Sequence, residues 1–431
     1  MKKIIYVVLD GLGDRPHPDL GNKTPLEAAR TPYLDNLAKN GSTGLMYTVG
    51  KDIAPESDIA VISILGYDAE KYYTGRGPLE SFAEGLPVKD GDLAFRVNFA
   101  TLGQGKQIKD RRVGRNLTTE EATQLCREVN AKVKLTSSPA DFKFKNTIGH
   151  RGVLVFYPKA GAKLSAQVTN TDPAYEKLGV FGVAKEKFEN VVQECRPLEG
   201  QENLPEAVNA AKLTNEFVQK SSLVLEESSI NQKRASEGKM KANLILCRDA
   251  GDSLPKFPSI KEKFGINFGC FVEMPVERGI ALLTGMRIIE IPLPSGNLQK
   301  DYKLRAKKVL ESLNKFDGLY IHIKGPDEPA HDGNAPQKKQ AIEDIDQHFF
   351  ANLIPHLEMS GCLICVTADH STPCVLKAHS ADPVPVLITQ KGSAAEAAND
   401  GFSEKNCRQG SLKELKGEEL LPLLVKLSGV K

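Results

Sequence analysis

Two segments in the last third of the chain combine carboxylate and imidazole side chains at spacings that suit a metal ion. Asp327 and His331 are four residues apart, so one helical turn would place both side chains on one side of a cation. Asp369 and His370 are adjacent and can both reach a metal from a loop, and His379 follows nine residues beyond His370. Such mixed ligands are typical of manganese, zinc or magnesium.

Asp10 adds a third carboxylate directly after the first apolar run, where Gly11 and Gly13 let the backbone approach a ligand closely. Three Asp and three His are too many protein ligands for one open catalytic ion, so the sequence predicts two metal ions. Two ions roughly 3.5–4 Å apart stabilise the attacking and the leaving oxygen of a phosphoryl group. The predicted chemistry is therefore phosphotransfer.

Ser57 is the predicted nucleophile. It follows Pro55 in a turn that opens a short predicted helix, and the backbone N–H groups at a helix start favour an incoming phosphate. A hydroxyl is a weak nucleophile near neutral pH, and metal coordination is one way to activate it. From the local pattern alone, an ordinary helix N-cap is an equally good interpretation.

Short apolar runs bounded by turn residues alternate with helix-like segments and predict a mostly parallel sheet flanked by helices. The predicted strands are Ile4–Leu9, Gly318–Ile323, Leu363–Thr367 and Val384–Ile388. The first three deliver acidic residues just beyond the strand, where open α/β sheets bind their ligands. His322 lies inside one of these strands and is expected to be packed or hydrogen-bonded there.

The middle of the chain has a different pattern of strands and helices from the two ends, and this pattern predicts an inserted, smaller α+β domain. Asp92–Ala100 and Gly152–Phe156 have strand patterns, whereas Thr118–Val133 and Pro205–Val218 have helical spacing. We predict an α/β catalytic domain of residues 1–84 and 258–431, and an inserted domain of residues 85–257.

Composition and charge narrow the class of partner. Lys and Arg number 57 against 55 Asp and Glu, so there is no global positive field to attract nucleic acid or an anionic membrane, and a small charged ligand is expected. No run approaches the ~20 apolar residues of a membrane span, and the apolar start is too short for a signal peptide. These features predict a cytoplasmic protein with reduced thiols. They do not indicate its oligomeric state.

The order Asp, Ser, Asp-x-x-x-His, Asp-His, His resembles that of the alkaline-phosphatase superfamily. Longer strings are similar to the archaeal-type, 2,3-bisphosphoglycerate-independent phosphoglycerate mutases. These strings occur at Val8–Asp14, Thr24–Ala29, Ser63–Asp68, Thr74–Glu80, Lys324–Glu328 and Thr367–Cys374. The resemblance covers nearly the whole chain and implies an alkaline-phosphatase-like fold.

The resemblance also implies roles for the candidate residues. Asp327, His331 and His379 would bind one metal, and Asp10, Ser57, Asp369 and His370 would surround the other. Ser57 would take the phosphate from 3-phosphoglycerate, hold it as phosphoserine, and return it to the 2-position, as in glycolysis and gluconeogenesis. Two divalent ions are implied, manganese first with magnesium or zinc as alternatives, and no 2,3-bisphosphoglycerate.

The inserted domain would act as a lid that retains glycerate between the two transfers. It would also supply cationic groups for the substrate's phosphate and carboxylate. The candidates for this role are Arg111, Arg112, Arg115, His150 and Arg151. A solvated basic loop is the alternative interpretation of these residues.

Two departures from the family pattern concern the substrate side of the site. Where the family commonly has Gly-Ser-Asp-Thr-Ala-His, this chain has Glu56–Val61, which puts an acid beside the nucleophile, and Leu293–Asn297 replaces a Gly-Ala-Thr-Gly turn. A related phosphotransferase or phosphomonoesterase, for example a homoserine kinase-like paralogue, is therefore the alternative function. A non-catalytic metal-binding module is disfavoured because every ligand position and the nucleophile are present.

Overall fold

A computed structural model of the chain describes residues 1–159, 161–185, 187–292, 295–392 and 400–430. Leu293 and Pro294 of the altered turn lie outside the described residues. The strands are β1 Lys3–Leu9, β2 Gly41–Tyr47, β3 Leu93–Leu102, β4 Ile108–Asp110, β5 Ala140–Asn146, β6 Arg151–Pro158, β7 Tyr175–Leu178, β8 Phe181–Ala184, β9 Leu244–Gly251, β10 Phe268–Phe271, β11 Arg287–Ile288, β12 Gly318–Ile323, β13 Cys362–Thr367, β14 Val384–Gln390 and β15 Lys413–Lys416.

The predicted helix Thr118–Val133 is observed to within one residue at each end, whereas the helix that begins at Pro205 continues to Glu226, beyond the predicted end at Val218. The helices are α1 Pro25–Ala28, α2 Pro32–Lys39, α3 Ser57–Ile64, α4 Ala69–Tyr72, α5 Arg76–Ala83, α6 Thr119–Lys132, α7 Pro205–Glu226, α8 Ser229–Ser236, α9 Ile260–Phe264, α10 Pro275–Leu283, α11 Leu298–Ser312, α12 Asp327–His331, α13 Ala335–Ile345, α14 Ala351–Leu353, α15 Glu404–Cys407 and α16 Gly417–Ser428. None of the described helices is both long and apolar enough to span a bilayer.

The chain divides into two compact units. The first unit comprises Met1–Tyr72 and Phe257–Lys431, and the second comprises Tyr73–Lys256. The first change of unit falls after Tyr72 rather than at the predicted 84/85, because α5 packs against β3, β6 and β9 of the second unit.

The first unit contains an eight-stranded sheet in the order β11-β10-β12-β1-β13-β14-β2-β15. The strands from β11 to β13 are parallel, while β14 is antiparallel to both of its neighbours. Because β12, β13 and all of β1 after Lys3 are buried and mostly apolar, both faces of the sheet centre are covered. The predicted mostly parallel α/β fold flanked by helices is confirmed.

The register of the central strands determines where functional side chains can meet. Leu9 at the end of β1 lies opposite Ile323 at the end of β12, and Val8 lies opposite Thr367 at the end of β13. The three parallel strands therefore end side by side. Loops that leave them emerge at one edge of the sheet, where open α/β sheets bind ligands.

The second unit has its own antiparallel sheet, in the order β4-β3-β6-β5, with β9 also paired to β3. Its core is built around the aromatic side chains of Phe95, Phe144, Phe156 and Phe217, all fully buried. Phe217 makes edge-to-face contacts with Phe144 and Phe156, so α7 packs against the strands through aromatic rings.

A buried carboxyl group, Glu404, ties the start of α15 to the N-terminal loops. Its two oxygens accept hydrogen bonds from the Asp14 backbone N–H at 3.2 Å and from the Thr24 hydroxyl at 2.6 Å. Burial raises the pKa of Glu404 to about 7, although the Thr24 hydrogen bond opposes this change. The folded protein therefore keeps the proton of Glu404 to higher pH than the unfolded chain does.

We expect Glu404 to make the free energy of unfolding fall as pH rises from its ordinary pKa of 4.5 to about 7. In this window the unfolded chain has lost the proton that the folded protein keeps, and above it both states are ionised. The loss amounts to about 3 kcal/mol. Urea unfolding at pH 5 and pH 8 measures it, and Glu404→Gln should remove most of the difference. The same pH dependence in wild type, Glu404→Gln and the exposed control Glu358→Gln would contradict this assignment.

Candidate active site

The sequence-predicted ligands lie at the edge of the first unit's sheet where its central strands end. The structure places Asp10 after β1, Asp327 and His331 on α12 after β12, Asp369 and His370 after β13, and His379 in the loop before β14. One helical turn does carry the Asp327–His331 pair, as the four-residue spacing predicts. Segments far apart in sequence thus converge on one site.

Among the described residues, two groups have ligand atoms that all lie within 4.8 Å of one another: Asp10, Asp369 and His370, and Asp327, His370 and His379. We call the first the buried group, because all three members are buried, and the second the outer group. His370 belongs to both groups. His331 lies beside the outer group, with its Nε2 3.4 Å from Asp327 Oδ2.

The tautomer of His370 follows from its partner, Thr372. The Thr372 hydroxyl donates its single proton to Asp327 Oδ1 at 2.7 Å, so its 2.9 Å contact with His370 Nδ1 requires Nδ1 to be the donor. The lone pair of His370 is therefore on Nε2. This atom lies 3.3 Å from Asp369 Oδ2 and 3.5 Å from Asp10 Oδ1.

Backbone carbonyls orient the other two imidazoles in the same way. His379 Nδ1 lies 2.8 Å from the Pro55 carbonyl oxygen, and His331 Nδ1 lies 3.1 Å from that of Lys377. A carbonyl only accepts, so both Nδ1 atoms donate, and Nε2 is the nitrogen of each ring that can bind a metal once it is deprotonated. His379 Nε2 lies 3.7 Å from Asp327 Oδ1, so it also faces a carboxylate.

Divalent cations fit this set of donors. Asp10 Oδ1 and Asp369 Oδ2 are buried and accept no hydrogen bond of good geometry, an arrangement that is costly unless a cation pairs with them. The site also favours positive charge on the imidazole of His331, because the hydrogen bond with Asp327 raises the pKa of His331 to about 9. Metal ions facing the imidazole lone pairs and the carboxylate oxygens would satisfy both groups.

Two cationic side chains of β12 and the residue after it partly balance the buried carboxylates. Lys324 Nζ lies 2.9 Å from Asp10 Oδ2 and 2.6 Å from Glu277 Oε1. His322 is fully buried, 3.5 Å from Glu277 Oε1 and 3.5 Å from Asp369 Oδ2. Burial still raises the pKa of Asp10 to about 7, against the charge of Lys324. Lys324 and Glu277 are site residues that the sequence interpretation missed.

Ser57 is the first residue of α3, and Glu56 occupies the N-cap position. The ordinary N-cap interpretation of Ser57 is therefore wrong. Its Oγ lies 3.2 Å from His370 Nε2, between a helix start and the buried group. A phosphate bound there would meet the backbone N–H groups of the first turn.

A buried lysine, Lys338 of α13, holds two of the site's loops together. Its ammonium group lies 2.8 Å from Asp14 Oδ2 and donates to the carbonyl oxygens of Gly13 and Thr372, each at 3.0 Å. Gly13 lies in the loop after β1 and Thr372 in the loop after β13, so one cation fixes both. The helical spacing of α13 gave no signal for this role.

The second unit contains a cluster of partly or fully buried arginines. We call Arg76, Arg96, Arg151 and Arg248 the arginine cluster. Arg76 Nε donates to Glu80 Oε1 at 2.5 Å, and Arg96 Nη1 lies 3.7 Å from the same oxygen. Arg96 lies opposite Arg248 in the pairing of β3 with β9. Facing like charges are unfavourable unless an anion balances them.

The predicted substrate residues divide into two sets around this cluster. Burial and the charges of Arg151, Arg112, Arg96 and Arg115 lower the pKa of His150 to about 4. Arg112 and Arg115 are exposed, whereas Arg111 makes a bidentate pair with buried Asp172 at 2.9 and 2.8 Å. The structure therefore brings four of the five predicted groups near one another and engages Arg111 elsewhere.

The substrate prediction omitted Arg76 of α5, Arg96 of β3 and Arg248 of β9. Burial, together with the charge of Arg76, lowers the pKa of Arg96 to about 9. The Arg96 Nε is buried and donates to no partner among the described residues. This arrangement favours an anion, and the string that contains Arg76 could have pointed to it.

Comparison with known proteins identifies relatives over both units. A family model described as 2,3-bisphosphoglycerate-independent phosphoglycerate mutase matches residues 38–231. Proteins of that name from Aeropyrum pernix and Methanocaldococcus jannaschii are 43% identical over 95% of both chains, and 36% identical over 99% of this chain and 97% of the relative. The cofactor-independent phosphoglycerate mutase of Thermoplasma acidophilum has a TM-score of 0.62 at 30% identity, with full coverage of both chains. A Pyrococcus horikoshii structure has a TM-score of 0.77 at 29% identity, covering 99% of this chain and 97% of the other.

We expect Lys338→Met to lower the free energy of unfolding by roughly 3–5 kcal/mol, because it leaves the Asp14 carboxylate buried without its cation. Thermal and urea unfolding measure the change. The neighbouring Lys339→Met, which removes a half-exposed pair with Glu343, should cost less than about 1 kcal/mol. Adding Asp14→Asn to Lys338→Met should recover part of the loss. Equal stability of the two single variants would contradict the role of Lys338.

Proposed function

The chain belongs to the family of 2,3-bisphosphoglycerate-independent phosphoglycerate mutases, and we propose on this premise that it interconverts 3-phosphoglycerate and 2-phosphoglycerate through a phosphoserine at Ser57. The observation that carries the proposal is Ser57 Oγ, 3.2 Å from His370 Nε2 and next to two groups of metal-ligand type. We further propose that the reaction serves glycolysis and gluconeogenesis in the cytoplasm and needs no 2,3-bisphosphoglycerate.

Two divalent ions are proposed as cofactors, manganese first, with magnesium or zinc as alternatives. Asp10, Ser57, Asp369 and His370 would surround one ion, and Asp327, His331 and His379 would hold the other. When bound, such ions activate a hydroxyl and stabilise charge on phosphoryl oxygens. The proposal is supported by the unpartnered oxygens of Asp10 and Asp369 and by the lone pairs that face them.

The chain's own residues position the phosphate and the nucleophile. Ser57 Oγ forms a bond to phosphorus as the bond from phosphorus to the substrate's C3 oxygen breaks; Oγ loses a proton and the C3 oxygen gains one. After glycerate re-orients, its 2-hydroxyl attacks phosphorus, the Oγ–phosphorus bond breaks, and Ser57 regains a proton. Ser57 Oγ lies 3.2 Å from His370 Nε2, which places it beside the metal-ligand groups, and the first turn of α3 would donate N–H groups to the phosphate.

The second unit is proposed to bind the substrate's acidic groups and to act as a lid. The proposal is supported by the arginine cluster, in which Arg96 and Arg248 face each other and uncharged His150 lies nearby. Guanidinium groups bind carboxylate and phosphate in bidentate fashion. Exclusion of water would keep the phosphoserine from hydrolysing before glycerate returns.

Ser57→Ala should abolish mutase activity, because it removes the hydroxyl that would carry the phosphate. The measurement is a coupled assay of 3-phosphoglycerate conversion with manganese and without 2,3-bisphosphoglycerate. Ser63→Ala, one to two turns further along α3, is the matched control and should retain activity.

Either of two results would contradict this proposal. Conversion by Ser57→Ala at the wild-type rate would exclude the phosphoserine at this residue. A metal-loaded wild type that is inactive on 3-phosphoglycerate, but that transfers phosphate from other monoesters, would favour the related phosphotransferase or phosphomonoesterase instead.

Arg151→Gln should raise KM for 3-phosphoglycerate by roughly 10- to 100-fold, since it removes a charge-assisted hydrogen bond worth about 1.5–3 kcal/mol. Steady-state kinetics measures this change. Arg127→Gln removes an exposed guanidinium on α6 of the same unit and should leave KM unchanged. If both variants had the wild-type KM, the arginine cluster would not bind the substrate through Arg151.

A further inference from the structure

Glu56 lies behind the imidazole of His379, on the side away from the outer group. Its Oε1 is 3.8 Å from His379 Nδ1, and the carbonyl oxygen of the preceding Pro55 accepts from the same nitrogen at 2.8 Å. The side chain makes no capping hydrogen bond to α3, although it stands at the N-cap position. Pro55 and Glu56 thus place a carbonyl dipole and a carboxylate against one ring nitrogen, while Nε2 faces Asp327.

The negative charge of Glu56 matters for the charge balance of a metal ion in the outer group. The outer group offers one carboxylate, that of Asp327, together with imidazoles whose lone pairs are free to bind a metal. A divalent ion bound there would leave one positive charge uncompensated by these ligands. Glu56 supplies the missing negative charge from a position that is 22% exposed, where solvent screens it only in part.

We infer that Glu56 is a positioning residue for the outer metal ion: its carboxylate acts through the imidazole of His379, which the Pro55 carbonyl holds in place, and sets the ion's affinity by offsetting one unit of its charge. A negative charge close to a histidine ligand makes the metal-binding nitrogen more basic. The inference rests on the proposed two-metal function. It also assigns a role to the acid beside the proposed nucleophile, whose negative charge weakens the attraction for an incoming phosphate.

The test is manganese binding to the full chain without substrate, measured by competition with a chromophoric chelator. Glu56→Gln should weaken one of two ions by roughly 10- to 100-fold and leave the other within threefold. Glu56→Asp should give an intermediate affinity for the same ion. Asp382→Asn removes a partly exposed carboxylate from the loop after His379 and should change neither affinity.

Kinetics supply a second readout, because the same charge removal should lower KM for 3-phosphoglycerate in Glu56→Gln at saturating manganese. Two ions of unchanged affinity in Glu56→Gln, or two ions weakened equally, would overturn the role of Glu56 alone. Fewer than two ions bound to wild type would overturn the two-metal proposal, and this inference with it. The metal titration therefore separates the two failures.

Discussion

Mutual repulsion among carboxylates buried at one sheet edge is the constraint on which the catalytic unit depends. Asp10 and Asp369 are buried, Asp327 is close to them, and an oxygen of each buried carboxylate lacks a hydrogen-bond partner. Like charges in a poorly hydrated site repel strongly and raise one another's pKa. Carboxylates buried this close together are stable only if cations lie beside them. The chain provides the ammonium group of Lys324 and the basic side chain of His322, and the remaining demand for positive charge matches exchangeable divalent ions.

The surrounding structure holds each ligand in the orientation that a cation needs. Each of the three imidazoles donates Nδ1–H to an oxygen of the protein and turns Nε2 toward a carboxylate. The buried ammonium group of Lys338 donates hydrogen bonds to both the loop after β1 and the loop after β13. Preorganisation of this kind places the cost of ordering the site in folding rather than in each catalytic cycle. The arginine cluster of the second unit has the opposite electrostatic character, with four guanidinium groups near the carboxylates of Glu80 and Asp249.

Sequence patterns predicted the parts of this site that depend on local order along the chain. Asp10, Asp327 and Asp369 lie within four residues of the ends of apolar strands. Because parallel strands end at one edge, their convergence could be inferred before the register was known. Residues whose role depends on three-dimensional neighbours could not be inferred in this way. His322 has the spacing of a core strand residue, and Lys338 that of an ordinary helical lysine. Arg96 and Arg248 are more than 150 residues apart and face each other only through strand pairing. Arg111 was predicted from its basic neighbours, but Asp172, which pairs with it, is 61 residues away.

The most direct test of this account is the anomalous scattering of manganese in crystals of the wild-type chain, with Asp369→Asn crystals as the comparison. The account predicts two manganese peaks about 4 Å apart, one against the buried group and one against the outer group. It further predicts that Asp369→Asn loses the peak at the buried group. A single peak, or two peaks away from Asp10, Asp327 and Asp369, would contradict the central claim that these carboxylates bind two divalent ions.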